Sequence, residues 1–400
     1  MEHGAQILLS LFVIFIAAQV GAEIAQRLKL PGVVGEIAAG AVIGPSVLGW
    51  INAAQIAPGM PIDLLAEIGV VLLLFAVGLE TRLEDLKKVG ASAFMVAVLG
   101  VIVPFVMATL WAHHERLDWS KSLFVAAAFV ATSAGITARV LQELGAVTRI
   151  ESRVILGAAV IDDILAMLIL GIVVALQGGQ GVQLGSIALV LLQAVGFVAI
   201  IGWVGTRVMR RGSRWLERPI NPMSPLTLTL ALCLGLAYLS TEFGLAAIIG
   251  AFLAGMIASE TPKRHELEHQ MQPLLALLTP FFFVVTGAKI DLGVFADGAA
   301  LWMLFVVTLI AVVSKLAGGF LGAISLGPRA ATIVGVGMIP RGEVGIVIAS
   351  LGLAAGVFSD EIYALIVAMS LLTSVITPPV LAWLLARSPV RPAAEDEAAG

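Results

Sequence analysis

Long apolar runs, each close to the length of a membrane-spanning helix, alternate along this chain with short segments that carry charged residues, glycine or proline. A helix needs about 20 mostly apolar residues to cross a bilayer. The pattern therefore predicts an all-α membrane protein with thirteen transmembrane helices. The predicted spans cover approximately residues 6–26, 31–50, 63–80, 90–112, 120–142, 152–176, 184–208, 224–241, 244–259, 270–289, 298–325, 330–355 and 361–386.

The composition supports this pattern and excludes several classes of protein. Hydrophobic residues make up 60% of the chain and charged residues 12%. Soluble domains carry about 25% charged residues. The net charge is −4, and the basic residues form no patch that would bind nucleic acid. Because neither a nucleophile–base set nor a cluster of metal ligands is evident in the sequence, we expect a protein that is not an enzyme and has no cofactor.

Basic residues predict the orientation of the spans. With the amino terminus outside, eighteen Lys and Arg residues fall on the inside and three on the outside. Cytoplasmic loops carry an excess of Lys and Arg, so the bias predicts an external amino terminus and a cytoplasmic carboxyl terminus. The two remaining basic residues, Lys315 and Arg341, fall inside spans.

The two halves of the chain contain similar segments at a nearly constant separation. Residues 33–40 match residues 248–255, and residues 135–141 resemble residues 345–351. Each span of the first half thus resembles the span seven places later. Because seven is odd, the halves have opposite orientation, which is typical of secondary transporters. Chance similarity between helices rich in Gly and Ala is the alternative.

Two repeat-related spans carry residues that interrupt a helix. In span 12, Pro340 removes a backbone donor and Gly342 relaxes the chain. In span 5, Thr132 and Ser133 can bond to backbone groups that a break leaves unpaired, although such residues also serve plain helix packing. Transporters place their ion sites beside interrupted helices near the membrane midplane. We therefore predict two broken helices, with Thr132 and Ser133 at an ion site.

Adjacent aspartates, Asp162 and Asp163, lie in the middle of a long apolar run. A charge at the centre of a membrane helix costs about 2.5–3.5 kcal/mol on insertion scales, which marks a path for a cation or a proton. Successive residues point about 100° apart around a helix, so the two carboxylates have different neighbours. Lys315 also lies mid-span and needs a counter-charge. One aspartate would pair with Lys315 while the other binds an ion; in the purely structural alternative, the other pairs with Arg341.

Four further charged residues lie within spans or near their ends. Arg341 and Glu343 are two positions apart, and we expect them to meet at the break and support it. A direct role in transport is the alternative. Glu36 and Glu80 lie near span ends or glycine-rich contacts, and we expect them to be solvated or interfacial.

These motifs together resemble those of NapA-type sodium/proton antiporters, in the second monovalent cation:proton antiporter family. The similar segments are residues 131–145, residues 157–163, Lys315 with the residues after it, and residues 340–345. The resemblance extends from about residue 6 to residue 386.

The resemblance implies a homodimer built from two bundles in each protomer, with two crossed broken helices in the core bundle. The expected divisions are a dimerisation bundle of residues 1–89 and 224–292, a core bundle of residues 90–176 and 293–386, a linker helix within 177–223, and a short cytoplasmic tail of residues 387–400. It also implies that Asp163 binds the ion and that Asp162 pairs with Lys315. An Asp-Asp pair resembles that of electrogenic exchangers.

We therefore expect an electrogenic antiporter that exchanges Na⁺ or Li⁺ for protons by alternating access in a bacterial cytoplasmic membrane. Proton and cation would compete for Asp163, and carbonyl oxygens freed at the break near Thr132 and Ser133 would complete the shell of a small hard cation. A K⁺/H⁺ antiporter of the same fold is an alternative, and a passive cation channel is another. A carrier for an organic anion fits the acidic site less well.

Overall fold

The computed structural model describes residues 2–28, 30–81, 89–177, 184–212, 223–243, 245–289, 298–341, 343–354 and 356–387. These residues form α-helices and two short 3₁₀ helices, with no strand among them. In chain order the α-helices are α1 (Glu2–Arg27), α2 (Gly32–Ile43), α3 (Pro61–Glu80), α4 (Gly90–His114), α5 (Trp119–Val130), α6 (Ala134–Glu143), α7 (Ile150–Gln177), α8 (Leu184–Gly212), α9 (Ser224–Glu242), α10 (Ala247–Ala258), α11 (Arg264–Ala288), α12 (Gly298–Gly322), α13 (Pro328–Gly337), α14 (Glu343–Ala354) and α15 (Asp360–Ala386).

The helices have the length and composition of a multi-pass membrane protein. Eight spans within the described residues are long and apolar enough to cross a membrane, and Gly32–Ile43 and Ala247–Ala258 are shorter apolar helices. Each segment that the sequence predicts as a span contains helical residues.

Two helix ends differ from the predicted bounds by more than four residues. The second span was predicted to run to residue 50, but α2 ends at Ile43 because Gly44 is extended, with φ −67° and ψ 179°. Pro45 follows, and a residue before proline is disfavoured in helical conformation. The tenth span was predicted from residue 270, but α11 begins at Arg264. Its first turns are polar and are stabilised by an ion pair one turn apart, so the apolar pattern alone missed them.

Spans 5 and 12 are each divided into two short helices. In span 5, α5 ends at Val130 and α6 begins at Ala134. In span 12, α13 ends at Gly337 and α14 begins at Glu343, with Pro340 between them. A proline at this place cannot donate a helical hydrogen bond, which accounts for the second break.

The helices pack as two sets. The first set, here called the scaffold helices, consists of α1, α2, α3, α9, α10 and α11. Its helices pack mainly against one another, through the pairs α1–α2, α2–α11, α3–α10, α3–α11 and α9–α10. The second set, here called the core helices, consists of α4 to α7 and α12 to α15. Its helices also pack mainly against one another, through the pairs α4–α12, α4–α5, α4–α7, α12–α13 and α14–α15. Helix α8 contacts α7 and α10 and so touches both sets.

Glycines bring the scaffold helices into main-chain contact. A Cβ atom at Gly40 of α2 would clash with the carbonyl oxygen of Val284 in α11. A Cβ atom at Gly255 of α10 would likewise clash with the carbonyl oxygen of Phe75 in α3. Small residues allow such close approach between membrane helices.

Candidate functional site

The two helix breaks meet and satisfy each other's backbone groups. The Ser133 N–H donates to the Pro340 carbonyl at 2.8 Å. The Thr137 hydroxyl donates to the Gly337 carbonyl at 2.8 Å, so α6 is also bonded to the last residue of α13. Helix ends leave backbone donors and acceptors unpaired, and inside a membrane these need partners from the protein. The two breaks therefore form one hydrogen-bonded crossing.

Arg341 supports this crossing from within. Its side chain is completely buried. The guanidinium donates to the carbonyls of Ile339 and Ala311, both at 3.1 Å. A cation near the carboxyl end of a helix is favoured by the carbonyl dipoles there. Glu343 begins α14, but its side chain lies outside the described residues, so the expected meeting with Arg341 stays a prediction.

The main chain of Arg341 is held by a neighbouring helix. Its N–H donates to the Thr373 hydroxyl at 3.2 Å, and its carbonyl accepts from the Ser374 hydroxyl at 2.6 Å. Thr373 and Ser374 lie on α15 and are fully buried. The two hydroxyls thus replace the helical partners that Arg341 lacks at the break.

Asp162 and Lys315 form an ion pair at the centre of the core helices. Lys315 Nζ lies 2.7 Å from Asp162 Oδ1, and both side chains are 0% exposed. Gly100 of α4 lies beside them, and an added Cβ there would be 3.6 Å from Lys315 Nζ. The small residue leaves room for the ammonium group.

Asp163 has different surroundings, as expected from its position around the helix. It is 3% exposed and lines a narrow cavity. Ala134 and Val160 of the core helices and Leu74 and Phe252 of the scaffold helices also line this cavity. The Asp163 carboxylate therefore lies where the two sets of helices meet, next to the first residue of α6.

Thr132 and Ser133 lie in the first break, close in sequence to Ala134 at the cavity. Both are buried, and neither hydroxyl has a hydrogen-bond partner among the described residues. Carboxylate and hydroxyl oxygens are ligands that suit small hard cations. The arrangement can thus offer a cation oxygen ligands at Asp163 and at the break, while Lys315 neutralises Asp162.

Comparison with known proteins identifies the family. The family model described as "Sodium/hydrogen exchanger, transmembrane" matches residues 11–387. The chain belongs to the sodium/hydrogen exchanger family.

Relatives within this family match over nearly their whole length. The chain is 37% identical over 378 residues to the "Probable Na(+)/H(+) antiporter GerT" of Bacillus cereus, covering 93% of this chain and 97% of the relative. It is 35% identical over 419 residues to the "High-affinity Na(+)/H(+) antiporter NhaS3" of Synechocystis sp., covering 96% and 90%. The "Na(+)/H(+)-K(+) antiporter GerN" of Bacillus cereus is 35% identical over 371 residues, covering 92% and 93%.

The fold of this exchanger family member resembles solved structures of the sodium proton antiporter MjNhaP1 from Methanocaldococcus jannaschii. One structure has a TM-score of 0.68 and covers 97% of this chain and 100% of that chain. Another has a TM-score of 0.73 and covers 96% and 98%. Sequence identity is 18% in both, so these matches support the fold alone.

Three hydroxyls that hold the crossing in this exchanger family member are not among the site residues predicted from its sequence: those of Thr137, Thr373 and Ser374. A signal for two of them exists in the sequence of α15. In this apolar helix Thr373 and Ser374 are adjacent, Ser370 and Thr377 each lie three or four positions from them, and all four are buried. This spacing places them on one helix face, and a polar face on an apolar helix indicates that it packs against another buried polar group.

The expectation that Glu36 is solvated or interfacial is wrong. Glu36 is 2% exposed, and its Oε1 lies 3.6 Å from Nη2 of Arg139 in α6. Position near the end of a span did not predict this because another helix covers it. Glu80 is partly buried and accepts a hydrogen bond from Gln142 of α6 at 3.4 Å.

Proposed function

We propose that this protein is an electrogenic Na⁺/H⁺ (or Li⁺/H⁺) antiporter that works by alternating access. The observation that carries the proposal is the contrast between two adjacent buried aspartates. Asp162 bonds Lys315 inside the core helices, whereas Asp163 lines a cavity between the two helix sets. Membership of the sodium/hydrogen exchanger family and the names of its relatives support the same function.

In this proposal Asp163 is the site shared by proton and cation. A carboxylate must release its proton before it can bind Na⁺, so the two ions compete for the same oxygens. Thr132 and Ser133, with carbonyls at the break, complete the oxygen shell. The transported ions are cargo, and the proposal includes no resident cofactor.

The Asp162–Lys315 pair makes the exchange electrogenic. A pair that breaks and forms again during the cycle would carry a second proton with each passage of the cation. Two protons would then exchange for one monovalent cation, and net charge would cross the membrane. Arg341 and Glu343 would stabilise the crossing of the broken helices during this cycle and would not bind the ion.

The core helices would move against the scaffold helices to change access, with α8 as the link. Glycine packing supports an inverted repeat. Gly255 lies 215 positions after Gly40, and their contact residues Phe75 and Val284 are 209 positions apart. The α2–α11 contact and the α3–α10 contact are thus repeat-related copies of one arrangement. We propose thirteen spans in two opposed repeats, with the amino terminus outside.

We further propose that two protomers associate through the scaffold helices in a bacterial cytoplasmic membrane. Helix α1 leaves a surface for such an association, because one side of it is apolar and exposed, including Leu9, Phe12, Ile16 and Val20. Such a surface suits lipid or a second copy of the chain.

Purified protein in sealed vesicles tests the function. An imposed Na⁺ gradient should move protons in the opposite direction and create a membrane potential, read by an internal pH dye and a voltage dye. Asp163→Asn vesicles are the control and should show neither signal. A pH change without a potential would contradict electrogenic exchange. A potential without a pH change would favour a passive cation channel. A pH change driven by a K⁺ gradient and not by a Na⁺ gradient would favour the K⁺/H⁺ alternative; K⁺ also stands in the printed name of GerN.

A further inference from the structure

Half of one broken helix is bonded to the scaffold by polar side chains. Glu143 at the end of α6 accepts a hydrogen bond from the Gly32 N–H, the first of α2, at 2.9 Å. Arg139 Nε donates to Glu143 Oε1 at 2.8 Å, and Arg139 Nη2 lies 3.6 Å from Glu36 Oε1. A carboxylate at the amino end of a helix is stabilised by the unpaired N–H groups there. These contacts join α6 to α2.

A further contact joins the same half-helix to α3. Gln142 Nε2 donates to Glu80 Oε1 at 3.4 Å. Glu36 is 2% exposed at its side chain, Arg139 20% and Glu143 17%. Because these groups are largely shielded from water, their attraction is screened less than that of surface pairs.

The repeat-related half-helix α14 has no matching side chains in its sequence. The 210-residue separation of the repeat places Ala349, Gly352 and Leu353 where α6 carries its three polar residues. The 215-residue separation places Ala251 where the scaffold carries Glu36. In the packing, α6 contacts α2 and α3 of the scaffold as well as α7 and α15 of the core, whereas within the described residues α14 packs mainly against α5 and α15 of the core. The two ends of the site therefore differ both in chemistry and in contact.

We propose that these polar contacts form a clasp that closes one of the two access routes to the ion site. The clasp stabilises the state in which α6 lies against the scaffold, and it opens when the site is exposed on that side. An inverted repeat alone would make the two access states similar in energy; the clasp makes them unequal. This inference rests on the proposed function, because it requires core and scaffold helices to move apart. The clasp residues are Gly32, Glu36, Glu80, Arg139, Gln142 and Glu143.

A single-cysteine reporter tests the clasp. Leu74 lines the cavity beside Asp163, and Cys233 is the one cysteine in the sequence. Leu74→Cys is placed in a Cys233→Ala background, and a membrane-impermeant maleimide is applied from each side of oriented vesicles. Arg139→Glu gathers like charges beside Glu36, so labelling from the α6 side should rise at least about fivefold. Adding Glu36→Arg restores opposite charges across the contact and should return labelling most of the way to its starting level.

The controls separate the clasp from general damage and from the proposed function. Lys263→Glu reverses the charge of the residue just before α11, which pairs with Glu266 of the same helix end at 3.1 Å, and it should leave labelling unchanged. Glu143→Ala is a second opening variant for use if Arg139→Glu does not fold. Unchanged labelling in a folded opening variant, or no recovery in the charge-swapped pair, would overturn the clasp. Coupled exchange by the unaltered protein is measured alongside, and its absence would count against the proposed function instead.

Discussion

Replacing Lys315 with glutamine should destabilise the protein strongly, because the change leaves the Asp162 carboxylate buried without its ammonium partner. Lys315 Nζ and Asp162 Oδ1 are 2.7 Å apart, and both side chains are 0% exposed. Asp162 Oδ2 has no hydrogen-bond partner among the described residues, so the Lys315 ammonium provides much of the stabilisation that offsets burial of the Asp162 charge. Removing one partner of a buried ion pair costs about 3–5 kcal/mol. Arg341 also attracts Asp162, which favours the lower end of that range.

Removing both charges should be much less harmful. In Asp162→Asn with Lys315→Gln, two neutral amides occupy the site, and the buried Arg341 keeps its hydrogen bonds to the Ile339 and Ala311 carbonyls although it loses the attraction of Asp162. We expect a loss of about 1 kcal/mol, so the two substitutions should offset each other by about 2 kcal/mol or more. Such non-additivity is the signature of a direct interaction.

The assay is unfolding of purified protein by sodium dodecyl sulfate in mixed micelles, at fixed pH and Na⁺ concentration, followed by tryptophan fluorescence. Lys121→Gln is the matched control, because Lys121 is 42% exposed and lies 3.9 Å from Asp118. A surface pair of this kind contributes about 0–1 kcal/mol. A Lys315→Gln variant as stable as this control, or a double variant as unstable as the single one, would refute a direct contribution of the ion pair to stability.

Other substitutions give separate tests. Added Na⁺ should raise the melting temperature of the unaltered protein, and Asp163→Asn should abolish both that rise and Na⁺-driven proton movement, which can be measured on one preparation. Asp162→Asn, where still active, should exchange ions at a rate independent of membrane potential; retained voltage dependence in clamped vesicles would argue against the second proton. Thr373→Val removes the hydroxyl that accepts from the Arg341 N–H at the crossing, so the ion ligands at the break should be less well positioned. The KM for Na⁺ should therefore rise more than kcat falls, and Thr373→Ser, which keeps the hydroxyl, should restore the KM. Gly255→Val should lose about 3 kcal/mol or more of stability by steric clash, whereas Gly235→Val, with open space around it, should not.

Features with a local physical cause could be predicted from the sequence. Apolar runs predicted helices in every span, since a membrane leaves few other options for the backbone. Pro340 predicted a break because it lacks a donor. The position of Lys315 between apolar residues predicted a buried charge that needs a partner, and the structure brings it to Asp162. In each case the chemistry of the residue itself, such as a missing backbone donor or a buried charge, sets the structural requirement.

Features that depend on a distant partner could not be predicted in this way. The spacing of hydroxyl residues in α15 indicates a polar helix face that includes Ser374, but its partner, the Arg341 carbonyl, is known only from the fold. Glu36 looks interfacial until α6 covers it with Arg139. The polar contacts of Arg341 to Ile339 and Ala311 also needed the three-dimensional arrangement, because proximity in sequence pointed toward Glu343 instead.

The glycine contacts at Gly40 and Gly255 leave no layer of side chains between the helices that they join. A side chain can absorb a small displacement by changing rotamer, whereas two main chains in contact cannot. Helices α2, α3, α10 and α11 are therefore a suitable common origin for superposing structures of different states. Displacement of Asp163 measured from that origin would give the distance that the ion itself travels.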